Sequence, residues 1–96
     1  MLNKLFGTSI YLLVLDLFLD NPEKFMNLRE IARRVDKNPG SISRVIPRLL
    51  EEELIKRVEV GKVMYAYHLN GEDDLVQLLI DFRKRLDKLY EDKYSE

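Results

Sequence analysis

The sequence predicts an α+β fold, mainly helical, with one β-hairpin and a long C-terminal helix. Three observations carry this. Apolar residues recur at helical spacing in four stretches, 10–19, 28–35, 39–53 and 75–89. Residues 54–60 and 63–69 are rich in β-branched and aromatic side chains and flank Gly61-Lys62, a two-residue hairpin loop of the Gly-X kind. Each helical stretch also follows a residue suited to capping it.

Composition narrows the function. Ninety-six residues make one domain, and 46% hydrophobic with 34% charged residues is a globular balance. Lys+Arg is 16 and Asp+Glu 17, which excludes a uniformly basic coating protein but leaves room for a basic patch. The absence of cysteine excludes disulfides, thiolate metal sites and thiol catalysis, and one histidine, His68, cannot build a multi-histidine site. There is no Gly-rich phosphate loop. No cofactor, metal or enzymatic activity is therefore expected. No apolar run approaches the ~18 residues of a membrane span. The N-terminus has one Lys and no small-residue cleavage site, so no signal peptide is expected. The expected location is the cytoplasm, associated with the nucleoid.

The elements follow in order. Residues 1–7 are a short apolar lead-in, after which Thr8 or Ser9 caps a helix that Asp20-Asn21-Pro22 stops. Ile10, Leu13, Val14, Leu17 and Phe18 share one side, and Leu12, Leu15 and Leu19 occupy another. Two apolar faces need two things to pack against. The expectation is a helix between its own core and a partner subunit, with a central core helix of a monomer as the rival. Phe25-Met26 is long enough only for a one- or two-bridge sheet edge. Asn27 then caps a helix with Glu30 at the capping-box position, and Leu28, Ile31, Ala32 and Val35 make its apolar stripe.

After the turn 36–38, Asn38 caps the next helix and Pro39 takes its first position, where a missing N–H costs nothing. This helix is expected over 39–53. Pro47 falls inside it and predicts a bend, with a break at Ile46 as the competing reading. In the second strand Tyr65, Tyr67 and Leu69 alternate with Met64, Ala66 and His68. Asn70 is expected to cap the last helix, with Glu72, Asp73 and Asp74 in or near its first turn. Leu75, Leu79, Phe82, Leu86 and Leu89 recur at spacings of four, three, four and three, a coiled-coil seam. Arg83, Lys84, Arg85, Asp87 and Lys88 are expected on its solvated face. A helix over 72–94 is roughly 35 Å long, too long to be covered by so small a chain.

The stretch LREIARRVDKNPGSISRVIPRLLEEELIKRVEVGKVMYAYHL, residues 28–69, resembles the winged helix-turn-helix transcriptional regulators of bacteria and archaea, of the broad MarR/ArsR-like kind. Leu28, Ile31 and Ala32 look like the first helix of the motif, 38–49 like the recognition helix, and 52–57 like the step into the wing. Leu5-Phe6-Gly7 and Asp20-Asn21-Pro22 look like the start of compact archaeal members. Two positions depart from the pattern. Glu53 stands where many members have a left-handed capping Gly, and Pro47 is unusual within a recognition helix. The resemblance implies a winged-helix domain over 1–70 and a dimerisation helix over 71–96, continuous with it. It implies sequence-specific double-stranded DNA binding and transcriptional regulation, more often repression by occlusion.

The charge pattern points the same way. From Lys24 to His68 there are ten Lys/Arg against six Asp/Glu, while both flanks are net acidic. Arg44 and Arg48 share a face one turn apart and can pair bidentately with guanine edges or phosphates. Asn38, Gly40, Ser41 and Ser43 lie at the helix start, where short polar groups, a close backbone approach and the helix N-terminus favour an anion or a base edge. Arg29 and Lys37 are candidate phosphate clamps, and Lys62 with Arg57 candidate wing contacts. Each has a plainer rival: Arg44 and Arg48 salt-bridged to Glu51 and Glu52, the serines as local caps, Lys62 as an ordinary turn lysine. Tyr65, Tyr67 and His68 read as strand packing.

Surplus apolar surface predicts a homodimer, with Leu12, Leu15, Leu19, Leu75, Leu79, Phe82, Leu86 and Leu89 as its interface. Two heads spaced by about one duplex turn, ~34 Å, read a pseudo-palindrome. The sequence names no small-molecule effector. Two other readings stay open: a winged-helix interaction adaptor that does not read DNA, marked by Arg44 and Arg48 neutralised by acids, and a non-specific architectural DNA binder, marked by a steep salt slope.

Overall fold

The computed structural model describes residues 2–94. Its elements are α1 (Leu2–Phe6), α2 (Ile10–Asp20), α3 (Leu28–Val35), α4 (Pro39–Glu51), β1 (Ile55–Val60), β2 (Met64–Leu69) and α5 (Asp74–Tyr94). β1 and β2 pair antiparallel, and Met26 adds one bridge to Tyr67. The short edge expected at Phe25-Met26 is therefore a single bridge, closed by reciprocal backbone hydrogen bonds of 2.9 and 2.8 Å. Helix pair α3–α4 followed by a hairpin is a winged helix-turn-helix. No helix among the described residues is long and apolar enough to cross a membrane.

Local chemistry sets the helix starts. The Ser9 side chain accepts from Leu12 N, Asn27 from Glu30 N and Asn38 from Ser41 N. Burial alone would push the Glu30 carboxyl up, but hydrogen bonds from Lys24 and Arg34 outweigh it and hold the group below its ordinary 4.5. The helix ends of the motif are twins. Asp36 and Glu53 both take left-handed backbone, φ 56° and 59°. Behind them Lys37 N donates to Ala32 O and Leu54 N to Leu49 O, at 2.9 and 3.0 Å, the six-to-one bond of a Schellman cap. Glu53 thus adopts the left-handed conformation that a capping Gly was expected to supply, and α4 stops at Glu51, earlier than the expected 53. Pro47 lies inside an unbroken helix, so the break at Ile46 is excluded.

The core gathers Val14 and Phe18 of α2, Met26, Ile31 of α3, Ile42 and Leu49 of α4, Ile55 of β1 and Val76 of α5. Leu15 and Leu19 belong to it as well, only 4% and 6% exposed. This corrects their expected place at a subunit interface. The lead-in is itself a helix, α1, which packs on α2 as α3 and α4 also do, so Leu15 and Leu19 are covered within the chain. Leu12 is partly buried against the same cluster. α1 is tied down by Asp16, whose Oδ1 and Oδ2 accept from Leu2 N and Asn3 N, each at 3.0 Å.

Three further expectations are corrected. The hairpin turn holds three residues, since Val60 pairs with Met64 and leaves Gly61, Lys62 and Val63 outside the ladder. Gly61 supplies φ 69°, which a β-branched residue could not take without strain. Asn70 is not the cap of α5. Its amides donate to Leu54 O and Glu53 O, stitching β2 to the exit of α4. Asp73 caps instead, accepting from Leu75 N and Val76 N at 2.9 and 3.3 Å, so α5 begins at Asp74 and runs 21 residues, about 31 Å. Arg83, expected in solvent, turns inward to Asp16 and Asp20 of α2.

Candidate nucleic-acid interface

α4 buries Ile42, Val45, Ile46 and Leu49 and turns Gly40, Ser43, Arg44, Pro47 and Arg48 outward. Arg44 and Arg48 are four positions apart, so the two side chains leave the helix on the same outer face. Neither makes an ion pair with any described residue. The acids proposed to neutralise them are otherwise placed: Glu52 accepts a 2.7 Å hydrogen bond from Tyr11 Oη, and Glu51 is exposed at the last position of α4.

Arg48 lies over the Tyr11 ring, Cζ to centroid 4.6 Å. Burial, then the hydrogen bond to Glu52 and its charge, push the Tyr11 phenol up to about 12, with Arg48 opposing. Tyr11, in the first turn of α2, closes one side of an open groove of about 370 Å³ that also holds Ser9, Ser41, Arg44 and Arg48. The fold therefore brings Ser41, Arg44 and Arg48 together. Sequence reading missed Tyr11; its one signal was a polar tip at the start of a run that is otherwise apolar but for Asp16.

The start of α4 is shaped by its own cap. Asn38 Oδ1 accepts from Ser41 N at 2.9 Å, and a Cβ on residue 40 would sit 3.2 Å from that oxygen, so Gly40 makes room for the cap. Ser43 Oγ donates to Gly40 O at 2.8 Å, which leaves its lone pairs outward. Asn38, Gly40 and Ser43 are exposed and Ser41 half-buried.

A second cluster joins α3 to the wing. Arg29 lines a groove of about 280 Å³ with Met64, Tyr65 and Tyr67. Arg57 holds its guanidinium over the outer Tyr65 ring at 4.4 Å. Lys62 is exposed at the hairpin tip beside Val63, which is 95% exposed. Lys37 is exposed in the turn between α3 and α4. Among the described residues no group of His, Cys, Asp and Glu could hold a metal ion.

No protein-family model and no curated protein matches the chain. Solved structures do. The homodimeric winged helix-turn-helix DNA-binding domain of Mb0332 from Mycobacterium bovis, a possible ArsR-family regulator, superposes with a TM-score of 0.71 at 20% identity, over 98% of this chain and 82% of that one. MepR, a transcription regulator of the Staphylococcus aureus multidrug efflux pump MepA, gives 0.67 at 16%, over 99% and 71%. The ferric uptake regulator from Francisella tularensis gives 0.63 at 18%, covering 69% of this chain, and the chain spans only 54% of that regulator's length. At such identities the likeness is one of fold: the chain has the winged-helix architecture of bacterial transcriptional regulators.

Proposed function

We propose that the chain is a sequence-specific, double-stranded DNA-binding transcriptional regulator that acts as a homodimer and represses by occluding its site. The observation that carries this reading is the pair Arg44 and Arg48, one turn apart on the outer face of α4 and free of ion pairs with the described residues. An adaptor that does not read DNA would have those charges neutralised. In the proposed complex α4 enters the major groove. Arg44 and Arg48 take guanine O6/N7 or phosphate, and Asn38, Gly40, Ser41 and Ser43 approach from the helix N-terminus. Arg29 and Lys37 clamp phosphates, and Lys62 with Arg57 meets the flanking backbone. Residues 1–70 are the reading unit and 71–96 the joint. The protein would work at the chromosome, in the cytoplasm.

The homodimer reading is supported by apolar surface that the chain leaves uncovered. Leu75, Leu78, Phe82 and Leu89 of α5 are exposed, Leu79 and Leu86 half-buried. Leu5 and Phe6 of α1 extend this surface, with Phe6 stacked on Phe82 at 6.5 Å between centroids. Two such chains would present α4 twice, to a pseudo-palindrome.

The test is fluorescence anisotropy on a duplex from upstream of the chain's own gene and on a scrambled duplex, over several salt concentrations. Wild type preferring its own fragment, with the preference lost in Arg44→Ala/Arg48→Ala, supports the reading. Equal binding to both duplexes with a steep salt slope favours an architectural binder. No binding at moderate salt, or a double variant that binds like wild type, moves the adaptor to first place.

A further inference from the structure

Arg48 and Glu52 stand four residues apart on one helix, the spacing at which opposite charges pair. They do not pair. Glu52 Oε2 accepts from Tyr11 Oη at 2.7 Å, and Arg48 Cζ lies 4.6 Å from the centre of the Tyr11 ring. One side chain from another helix thus engages both partners of an ion pair that would otherwise close on itself.

We propose that Tyr11 is a positioning residue for Arg48: its ring shelves the guanidinium and its hydroxyl holds Glu52 away, so that Arg48 offers its N–H edge to a guanine in the major groove. The inference rests on the DNA-binding reading and deepens it. A guanidinium carries its five donors in its own plane, so a ring face beneath it leaves those donors free for a bidentate acceptor. A shelved arginine also has less rotamer freedom left to lose on binding. The phenol's proton is held more tightly than in free tyrosine, so it stays a donor to Glu52 at neutral pH. Tyr11 is half-buried and lines the same groove as Arg44 and Arg48, so it acts at the reading face without itself having to reach a base.

The test uses a labelled duplex enriched from a random-sequence pool by the wild-type chain, and reads affinity by anisotropy. Tyr11→Leu weakens binding about three- to fivefold, from loss of the shelf. Tyr11→Phe keeps the ring and the packing but frees Glu52 to pair with Arg48, and weakens binding about twofold. Adding Glu52→Gln to Tyr11→Phe restores wild-type affinity, which a merely structural role for Tyr11 does not predict. In an Arg48→Ala background none of these changes alters affinity further. The proposal is overturned if Tyr11→Leu binds like wild type, or if its loss persists undiminished without Arg48. If the wild-type chain enriches no duplex, the DNA-binding reading itself falls, an outcome distinct from enrichment without Tyr11–Arg48 coupling.

Discussion

Arg83 of α5 forms an ion pair with Asp16 of α2, Nε to Oδ1 3.4 Å without a hydrogen bond, with both side chains almost wholly covered, 11% and 7% exposed. The same guanidinium binds Asp20 at the end of α2, and the same carboxylate accepts the Leu2 and Asn3 amides of α1. One buried pair therefore fastens three helices. Removing one member of such a pair leaves the other charge uncompensated, which costs about 3 kcal/mol. Asp16→Ala is expected to cost about that much, because it also frees the start of α1. Arg83→Met costs less, since Asp16 keeps two backbone donors, and the double variant is less damaged than the sum of the two. Urea unfolding followed by circular dichroism gives all three values. An Arg83→Met penalty above that of Asp16→Ala would overturn this account.

The pair also marks the limit of what the sequence discloses. Ser9, Asn27 and Asn38 were legible as caps because a cap is a contact within four residues. The helix-turn-helix, the hairpin and the long last helix follow from period and turn chemistry alone. Arg83 reads as solvated in the sequence because its neighbours Lys84, Arg85 and Lys88 are charged, and only its ion pairs with Asp16 and Asp20 of α2 decide otherwise. Leu15 and Leu19 look like partner contacts in the sequence because helical projection counts faces without saying what covers them, and only the packing of the other helices on α2 buries them. The candidate site divides the same way. Arg44 and Arg48 are legible from one helix face, whereas Tyr11 enters only when α2 and α4 meet.

Glu53 sits at φ 59°, a conformation in which an L side chain costs roughly 1–2 kcal/mol and Gly almost nothing. Glu53→Gly is therefore expected to stabilise the chain by about 1 kcal/mol, read as a higher urea midpoint at unchanged slope. Asp36 holds the matching position at φ 56°, but aspartate tolerates left-handed backbone better. Asp36→Gly should gain less. Equal gains at the two sites, or a loss at 53, would show that the conformation is not what limits stability there.

Tyr11 gives the fold a sensitivity to alkali. The folded chain holds the phenol proton more tightly than the unfolded chain, about 12 against 10.0, through burial first and then the Glu52 hydrogen bond. That contribution is whole below pH 10.0 and is lost as pH rises through about 12. The comparison is with Tyr11→Phe, which lacks the phenol hydroxyl and its hydrogen bond to Glu52 but keeps every other titrating group. Wild type should lose more stability than Tyr11→Phe between pH 9 and pH 11, by urea titration at about those two values. Parallel losses in the two proteins would mean that the phenol and Glu52 do not share a proton in solution.

The proposed joint separates residues that look alike in sequence. Leu15 is 4% exposed and Leu89 64%, yet both are leucines on apolar helical faces. If α5 and α1 meet a second copy, Leu89→Glu removes an apolar contact of about 1.5–3 kcal/mol and puts a charge at the interface. Association should then weaken by at least about tenfold in sedimentation equilibrium. Because Leu89 lies outside the core cluster, the variant should keep its helical circular dichroism at concentrations where it is monomeric. Leu15→Ala should behave in the opposite way. It opens a cavity beneath α2 and costs about 2–5 kcal/mol, and that loss persists at dilutions where the wild type is already monomeric, whereas the stabilisation that Leu89 lends grows with protein concentration. A Leu89→Glu chain that sediments like wild type would remove α5 from the joint and leave Leu5 and Phe6 of α1 as the surface to test next.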